Sequence, residues 1–353
     1  MELIPFAQPN LSGNELEYVS DAIVNGWISG TGSYVSRFEE ALAQRVQRKR
    51  CIAVANGTLA LEVVMQALGI GVGDEVIVPA LTFVAPAAAV KRLGATPVLA
   101  DIDPITWTID PESVSQCITH NTKAIIGVDL IGNPCDFDAL KSFQLPVIED
   151  AAEAHGASYQ GKLCGSHGIA STFSFHPNKA LTMGEGGAIL TDWDLLANNC
   201  RTIASHGMNR PYYHQVVGTN ARPNNMTCAV GLAQVERWDQ HMTERNRVAN
   251  LYKERLKDIV EVHQQNSTWV VTIVSDRRDL ILESLHQNGI DARAIFVPLP
   301  ELPIYQPYAV LKDYPVARRI GQTALMLPTF ETITEAQIDR IAEVIQKEFS
   351  TST

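Results

Sequence analysis

The sequence predicts an α/β protein with a mostly parallel central sheet flanked by helices, followed by a smaller C-terminal α+β domain. Three observations predict it. Short apolar β-type runs alternate with helix-type segments from about residue 50 to residue 191, the pattern of a parallel sheet with crossover helices. After about Glu236 the alternation gives way to one long polar helix and a different order of elements. The chain has 353 residues, 46% of them apolar, ample for two cores. The expected division is a large α/β domain over 1–235 and a small α+β domain over 236–353.

Taken in order, Ser12-x-x-Glu15 reads as a capping box opening a first helix, with Leu16, Val19, Ile23 and Trp27 along one face. Tyr34, Phe38, Ala41 and Leu42 line a second helix. Strands are expected at 51–54, 75–78, 98–100, 124–130, 147–149, 171–175 and 188–191, each short, apolar and bounded by turn residues. Beyond residue 236 a polar helix runs through Tyr252 and Leu256, then come a strand at 269–274, a helix ending at Asn288-Gly289 and a strand at 292–297. A second capping box, Thr334-x-x-Gln337, opens a last helix that buries Ile338, Ile341, Ile345 and Phe349.

Lys and Arg total 28 against 39 Asp and Glu, a formal charge of −11. That balance argues against general affinity for nucleic acid or an anionic membrane; an anionic ligand has to be held by local donors. The six cysteines show no CxxC spacing and read as reduced structural thiols, the usage of a cytoplasmic protein. Residues 1–10 lack the basic start and apolar run of a signal peptide, and no stretch reaches transmembrane length. The histidines show no metal-ligand spacing, so no metal is expected.

The chemistry concentrates in Ser171-Thr-Phe-Ser174-Phe-His176-Pro-Asn-Lys179, followed by Met183-Gly184-Glu185-Gly186-Gly187. This sets one lysine at the end of a β-type segment, with a hydroxyl five residues before it and a glycine-rich turn after it. A lysine held between buried strands is open to desolvation, which turns an ammonium into a nucleophilic amine. The matching chemistry is Schiff-base formation with an aldehyde cofactor, pyridoxal phosphate (PLP).

Companion residues occur in the order such a site needs. Asn56-Gly57-Thr58 lies between a short strand and a helix, which presents free amides and the Thr58 hydroxyl to a phosphate. Thr82-Phe83 follows the strand at 75–78 and offers a stacking ring. Asp150 stands at the carboxyl end of the strand at 147–149, where open α/β sheets bind ligands. A carboxylate there can keep a pyridine nitrogen protonated, so that the ring serves as an electron sink. Each residue alone has an ordinary structural reading, as a cap, a core aromatic or a loop lysine. Their order along one chain is what points to a PLP site.

With Gly26-Trp-Ile-Ser29, Gly73-Asp-Glu-Val-Ile-Val-Pro79, Glu149-Asp-Ala-Ala-Glu153 and Gly184-Glu-Gly-Gly187 added, the sequence resembles the sugar-nucleotide aminotransferases. These are fold-type-I PLP enzymes that aminate keto sugars on nucleotide carriers. The likeness covers nearly the whole chain and is strongest to the perosamine-forming branch, which acts on GDP-linked 4-keto-6-deoxymannose. The resemblance implies ping-pong transamination from L-glutamate, with Lys179 holding the cofactor and moving the proton, and Asp150 on the ring nitrogen. Gly57, Thr58 and Ser174 would anchor the phosphate, Phe83 would stack on the ring, and Glu153 would border it near the 3′-oxygen.

The resemblance further implies a homodimer with its sites at the interface, Asn220 reaching the phosphate from the neighbouring subunit. Trp27, Ser29, His176, Arg293 and Tyr305 fall on the substrate side, and the N-terminal segment lies near it. The chain departs from the family pattern at Ala221, where an aromatic is usual, and at Pro300 and Asp129, where histidines are frequent. A UDP- or dTDP-linked 4-amino-6-deoxyhexose synthase shares every cofactor residue and stays open as an alternative. So does an amino-acid aminotransferase using Arg222 or Arg293 as its carboxylate clamp. The dehydratase branch replaces the lysine by histidine, and Lys179 argues against it.

Overall fold

The structure is a computed structural model that describes residues 2–350. Seven strands form the central sheet: β1 (Arg50–Val54), β2 (Glu75–Pro79), β3 (Thr96–Ala100), β4 (Thr122–Val128), β5 (Val147–Asp150), β6 (Ala170–Ser174) and β7 (Gly187–Thr191). Their spatial order is β1-β7-β6-β5-β4-β2-β3. Only β7 runs against its neighbours; the other pairings are parallel. The strands are near-continuous runs of buried Val, Ile, Leu and Ala because both faces are covered by helices.

Helix α1 spans Glu15–Val24, α2 Ser33–Val46 and α3 Gly57–Ala67. Ala60, Leu61, Val63, Val64 and Met65 of α3 enter the core on one face of the sheet. On the other face Tyr34, Phe38 and Leu42 of α2 pack with Phe173 and Phe175. Asn224 caps α4 (Asn225–Glu236) through Thr227 N, and α4 packs against α1 and α2.

Helix α1 corrects two expectations. Leu16 is 80% exposed and Trp27 58% exposed, with Ile23 exposed as well, while Glu15 and Ala22 are buried. The helix is turned this way because Glu15 Oε1 accepts Gln234 Nε2 at 2.6 Å and Oε2 accepts Gly13 N at 2.8 Å. Those two bonds take the place of a Ser12 capping box, and the N-cap is Asn14.

A second, four-stranded antiparallel sheet consists of β8 (Glu261–Val262), β9 (Thr272–Val274), β10 (Arg293–Ala294) and β11 (Ala324–Met326), in the order β8-β9-β11-β10. Helices α5 (Trp238–Leu256), α6 (Arg278–Gln287) and α7 (Glu335–Ser350) cover it. The Thr334–Gln337 capping box is present, Gln337 N donating to Thr334 Oγ1 and Thr334 N to Gln337 Oε1. Ile338, Ile341 and Ile345 are buried, whereas Phe349 lies at the surface under the Arg277 guanidinium.

The expected strands at 269–274 and 292–297 are shorter than read, because their ends turn toward the central sheet. Trp269 Nε1 donates to Asn178 O, and Leu299 N donates to Ala80 O. Ile4 pairs with Ile290 and joins the apolar cluster around the second sheet. Among the described residues, no helix is long and apolar enough to cross a membrane.

Candidate active site

The register of the central sheet builds one edge. Val54, Gly187 and Ser174 are cross-strand neighbours, and two residues further in Thr172, Asp150 and Val128 form the next row. Because β7 alone is reversed, its first residue meets the carboxyl ends of β1 and β6, on the same edge as those of β5 and β4. Open α/β sheets bind their ligands at this edge.

At one end of the row lies a tight cup. Asn56 caps α3 by accepting Leu59 N at 2.9 Å, which leaves the Gly57 and Thr58 amides without an intrahelical acceptor. A Cβ on Gly57 would sit 3.0 Å from Ser174 Cβ, and one on Gly187 would sit 2.5 Å from the Asn56 carbonyl carbon. Only glycine permits this approach of turn to strand, which aims helix-terminal amides and the Ser174 side chain at one small volume. Ser174 Oγ accepts His176 N at 3.4 Å.

Further along, Asp150 is buried, with Oδ1 accepting Ala152 N at 3.2 Å and Thr172 Oγ1 at 3.4 Å. Burial pushes its carboxyl up to about 6; the Ala152 bond pulls the other way, and the neighbouring charge of Glu153 adds to the rise. Lys179 Nζ lies 3.2 Å from Glu153 Oε1, the two side chains being 11% and 4% exposed. Glu153 Oε2 accepts Ile131 N at 3.0 Å. The same ammonium stands 3.8 Å from the centre of the Trp269 ring, a cation–π contact.

Two residues from beyond the central sheet clamp the lysine loop. Trp269 Nε1 donates to Asn178 O at 2.8 Å. Arg245 Nη2 donates to Lys179 O at 3.2 Å, and its Nη1 to Trp269 O at 2.7 Å. Burial lowers this guanidinium to about 10, with Glu331 opposing the fall. Sequence reasoning missed Arg245, which reads as one more cation on a polar helix, and took Trp269 only as the start of a strand. Their one local signal is that each is a large residue in a polar setting.

The other expected residues fall around this cluster. Phe83 is 53% exposed, its ring meeting Phe296 edge-on at 5.7 Å. His176 is exposed and binds Asn178 Oδ1 through Nδ1 at 2.8 Å. Arg293 pairs with Asp291 at 3.1 Å and lies over Phe6. Tyr305 is 3% exposed and belongs to the core. The 3₁₀ turn with Pro300, Leu299–Glu301, is tied to Ala80 at the end of β2.

Trp27, Ser29 and Asn220 are exposed. Buried Asn225 holds the segment of Trp27 and Ser29, donating to Trp27 O, accepting Tyr34 N and giving its own N–H to Ser29 O. Asn220 pairs with Ser205 and accepts Arg222 Nε at 3.3 Å.

The edge thus offers an anion cup, a buried carboxyl suited to a protonated ring nitrogen, and a buried amine paired with a second carboxylate. Residues 9–346 match the DegT/DnrJ/EryC1/StrS aminotransferase family. The chain is 42% identical to GDP-perosamine synthase of Caulobacter vibrioides over 98% of each chain. It is 38% identical to GDP-perosamine synthase of Escherichia coli O157:H7 over 99% of this chain and 100% of that one. The solved structure of DesV from S. venezuelae matches with a TM-score of 0.93 at 29% identity, covering 100% of both chains. A match of this extent, with the lysine-bearing edge intact, means that the chain belongs to the DegT/DnrJ/EryC1/StrS aminotransferase family.

Proposed function

We propose that this aminotransferase carries the amino group of L-glutamate to C4 of GDP-4-keto-6-deoxymannose, yielding GDP-perosamine. The observation that carries the reading is Lys179, a buried amine held against Glu153 at the strand ends that also bear Asp150 and Ser174. The GDP-sugar assignment is supported by likeness to the Caulobacter and Escherichia enzymes.

The cofactor of this family, PLP, supplies an electron sink for the carbon that carries the amino group. Here the Gly57 and Thr58 amides, with the Thr58 and Ser174 hydroxyls, would hold its phosphate, and Asp150 would pair with its ring nitrogen. Phe83 would pack on the ring, and Glu153 would border it beside Lys179. Lys179 Nζ would hold it covalently and would serve as the base that moves the proton at the reacting carbon. Trp27, Ser29, His176 and Arg293 face the sugar nucleotide, and Tyr305, being buried, shapes the wall behind it. The small domain, from about residue 236, closes over the substrate.

In this reading the enzyme is a homodimer. The exposed apolar residues Leu16, Ile23 and Val24 of α1, with Trp27 just beyond it, form the kind of surface that a second copy covers, and Asn220 would reach the phosphate from that copy. The product is an activated amino sugar, the substrate class of glycosyl transfer in O-antigen and lipopolysaccharide assembly, and we place the enzyme in the cytoplasm.

The test is the absorption spectrum of the purified protein with PLP, before and after L-glutamate. Loss of the visible band, and its return on adding GDP-4-keto-6-deoxymannose, supports the full reading. Return only with a UDP- or dTDP-linked keto sugar overturns the GDP assignment and leaves the chemistry standing. No visible band at all overturns both.

A further inference from the structure

We propose that Glu153 takes the proton from the Lys179 ammonium and so frees the amine to attack the cofactor carbonyl, an inference that rests on the PLP reading above. An ammonium has no lone pair, so the lysine cannot bond to carbon until a base accepts a proton from Nζ. The step balances as follows: an Nζ–H bond breaks and the proton passes to Glu153 Oε1 to make a neutral carboxyl; the electron pair left on Nζ forms the C–N bond as the carbonyl π bond breaks, its pair going to the oxygen, which takes up protons and leaves as water.

The geometry singles out Glu153 for this work. Its Oε1 lies 3.2 Å from Nζ, within direct reach for proton transfer. The face of Trp269, 3.8 Å away on another side, presents π density rather than a proton acceptor. Arg245, bonded to the lysine's own carbonyl, is a cation and only donates. Asp150 has its Oδ1 engaged by Ala152 N and Thr172 Oγ1.

Glu153 is also held in place for it. Ile131 N–H fixes Oε2 at 3.0 Å and leaves Oε1 to the lysine. That amide is aimed by a left-handed turn at Ile131, φ 47°, a strained conformation for a β-branched residue. Gln265 Nε2 locks the turn by donating to Ile131 O at 3.0 Å. The charged and titratable groups around the pair are Asp150 on β5, buried His155 two residues beyond Glu153, and Arg245 on α5.

The test follows covalent attachment itself, by stopped-flow mixing of the protein with PLP from pH 6 to 9. Attachment at Lys179 is trapped with borohydride and located by mass spectrometry. The wild-type rate is expected to be nearly flat with pH, because the proton moves within the pair. Glu153→Gln keeps the shape and a hydrogen bond to Ile131 N but is no base. Its rate at pH 7 is expected to fall on the order of 100-fold and to climb about tenfold per pH unit as solvent removes the proton. Glu153→Asp is expected to recover part of the loss.

A Glu153→Gln rate and pH profile equal to wild type overturn this proposal and leave the PLP reading standing. No trapped adduct in the wild type overturns both. If Glu153→Gln loses its native circular dichroism, the wild-type profile decides: a tenfold rise per pH unit below pH 8 overturns the proposal, and a flat profile supports it.

Discussion

Asp129 and Glu149 meet in the sealed interior just behind the strand ends, their carboxyl oxygens and the Cys164 Sγ all lying within 4.8 Å of one another. Both Glu149 oxygens are engaged, by Gly165 N at 2.5 Å and His167 N at 2.7 Å. Asp129 Oδ1 accepts Cys135 N at 2.9 Å, and its Oδ2 is buried without a hydrogen-bond partner. Two bare carboxylates this close repel strongly, and one proton held between them removes the conflict. Burial pushes Glu149 up to about 7, and burial together with the charge of Glu149 lifts Asp129 well above the usual carboxylate range.

The pair makes stability depend on pH with a definite sign. An acid whose folded pKa is raised binds more protons folded than unfolded, so its contribution is present at low pH and lost as pH rises. The window runs from the unfolded value of about 4 to about 7, where Glu149 titrates. Asp129→Asn, which donates permanently to Glu149, is expected to flatten this fall and to be more stable than wild type at pH 8 by about 1–3 kcal/mol. Thermal unfolding of both proteins from pH 5 to 8 checks it; parallel curves would refute the shared proton.

Asp150 carries a second pH dependence. Its carboxyl, raised to about 6 by burial, has to be ionised to pair with a ring nitrogen. Binding of pyridoxamine phosphate, read by fluorescence, is expected to strengthen as pH rises through about 6, beyond what the ligand's own titration explains. Asp150→Asn should lose that component and reduce turnover on the order of 100-fold or more. An unchanged pH profile would count against the pairing.

Lys179→Ala should abolish covalent attachment and turnover while cofactor still binds through its phosphate. The variant also leaves Glu153 buried without its cation, which costs about 3–5 kcal/mol in comparable buried pairs. Borohydride trapping should find no adduct, and equilibrium dialysis should find bound PLP. Near-normal transamination by this variant would refute the assignment of the lysine.

Gly187→Ala places a methyl 2.5 Å from the Asn56 carbonyl carbon and 2.8 Å from Gly57 N. Backbone cannot yield as a side chain can, so the turn must move, at about 1–3 kcal/mol. PLP affinity is expected to fall by at least tenfold while the absorption maximum of the bound form stays the same. Affinity equal to wild type would mean that the cup does not hold the phosphate.

What the sequence determined by itself was whatever short-range pattern controls. Apolar runs of strand length, the Thr334–Gln337 capping box and the turn at Gly57 follow from residues within a few positions of each other, so strand ends, and with them Asp150, Ser174 and Lys179, were legible. Helix α1 was not. Its spacing marks Leu16, Ile23 and Trp27 as one apolar face, but periodicity does not say whether a face meets this chain's core, and here Gln234 draws Glu15 inward instead. The contacts that surround the amine were likewise beyond it. Lys179 meets Glu153 from 26 residues away, while Trp269 and Arg245 reach it from far along the chain, and Asp129 finds Glu149 only because β4 and β5 are paired in register. Those distances are set by the packing of sheets and helices, which brings together residues whose local sequence carries no mark of one another.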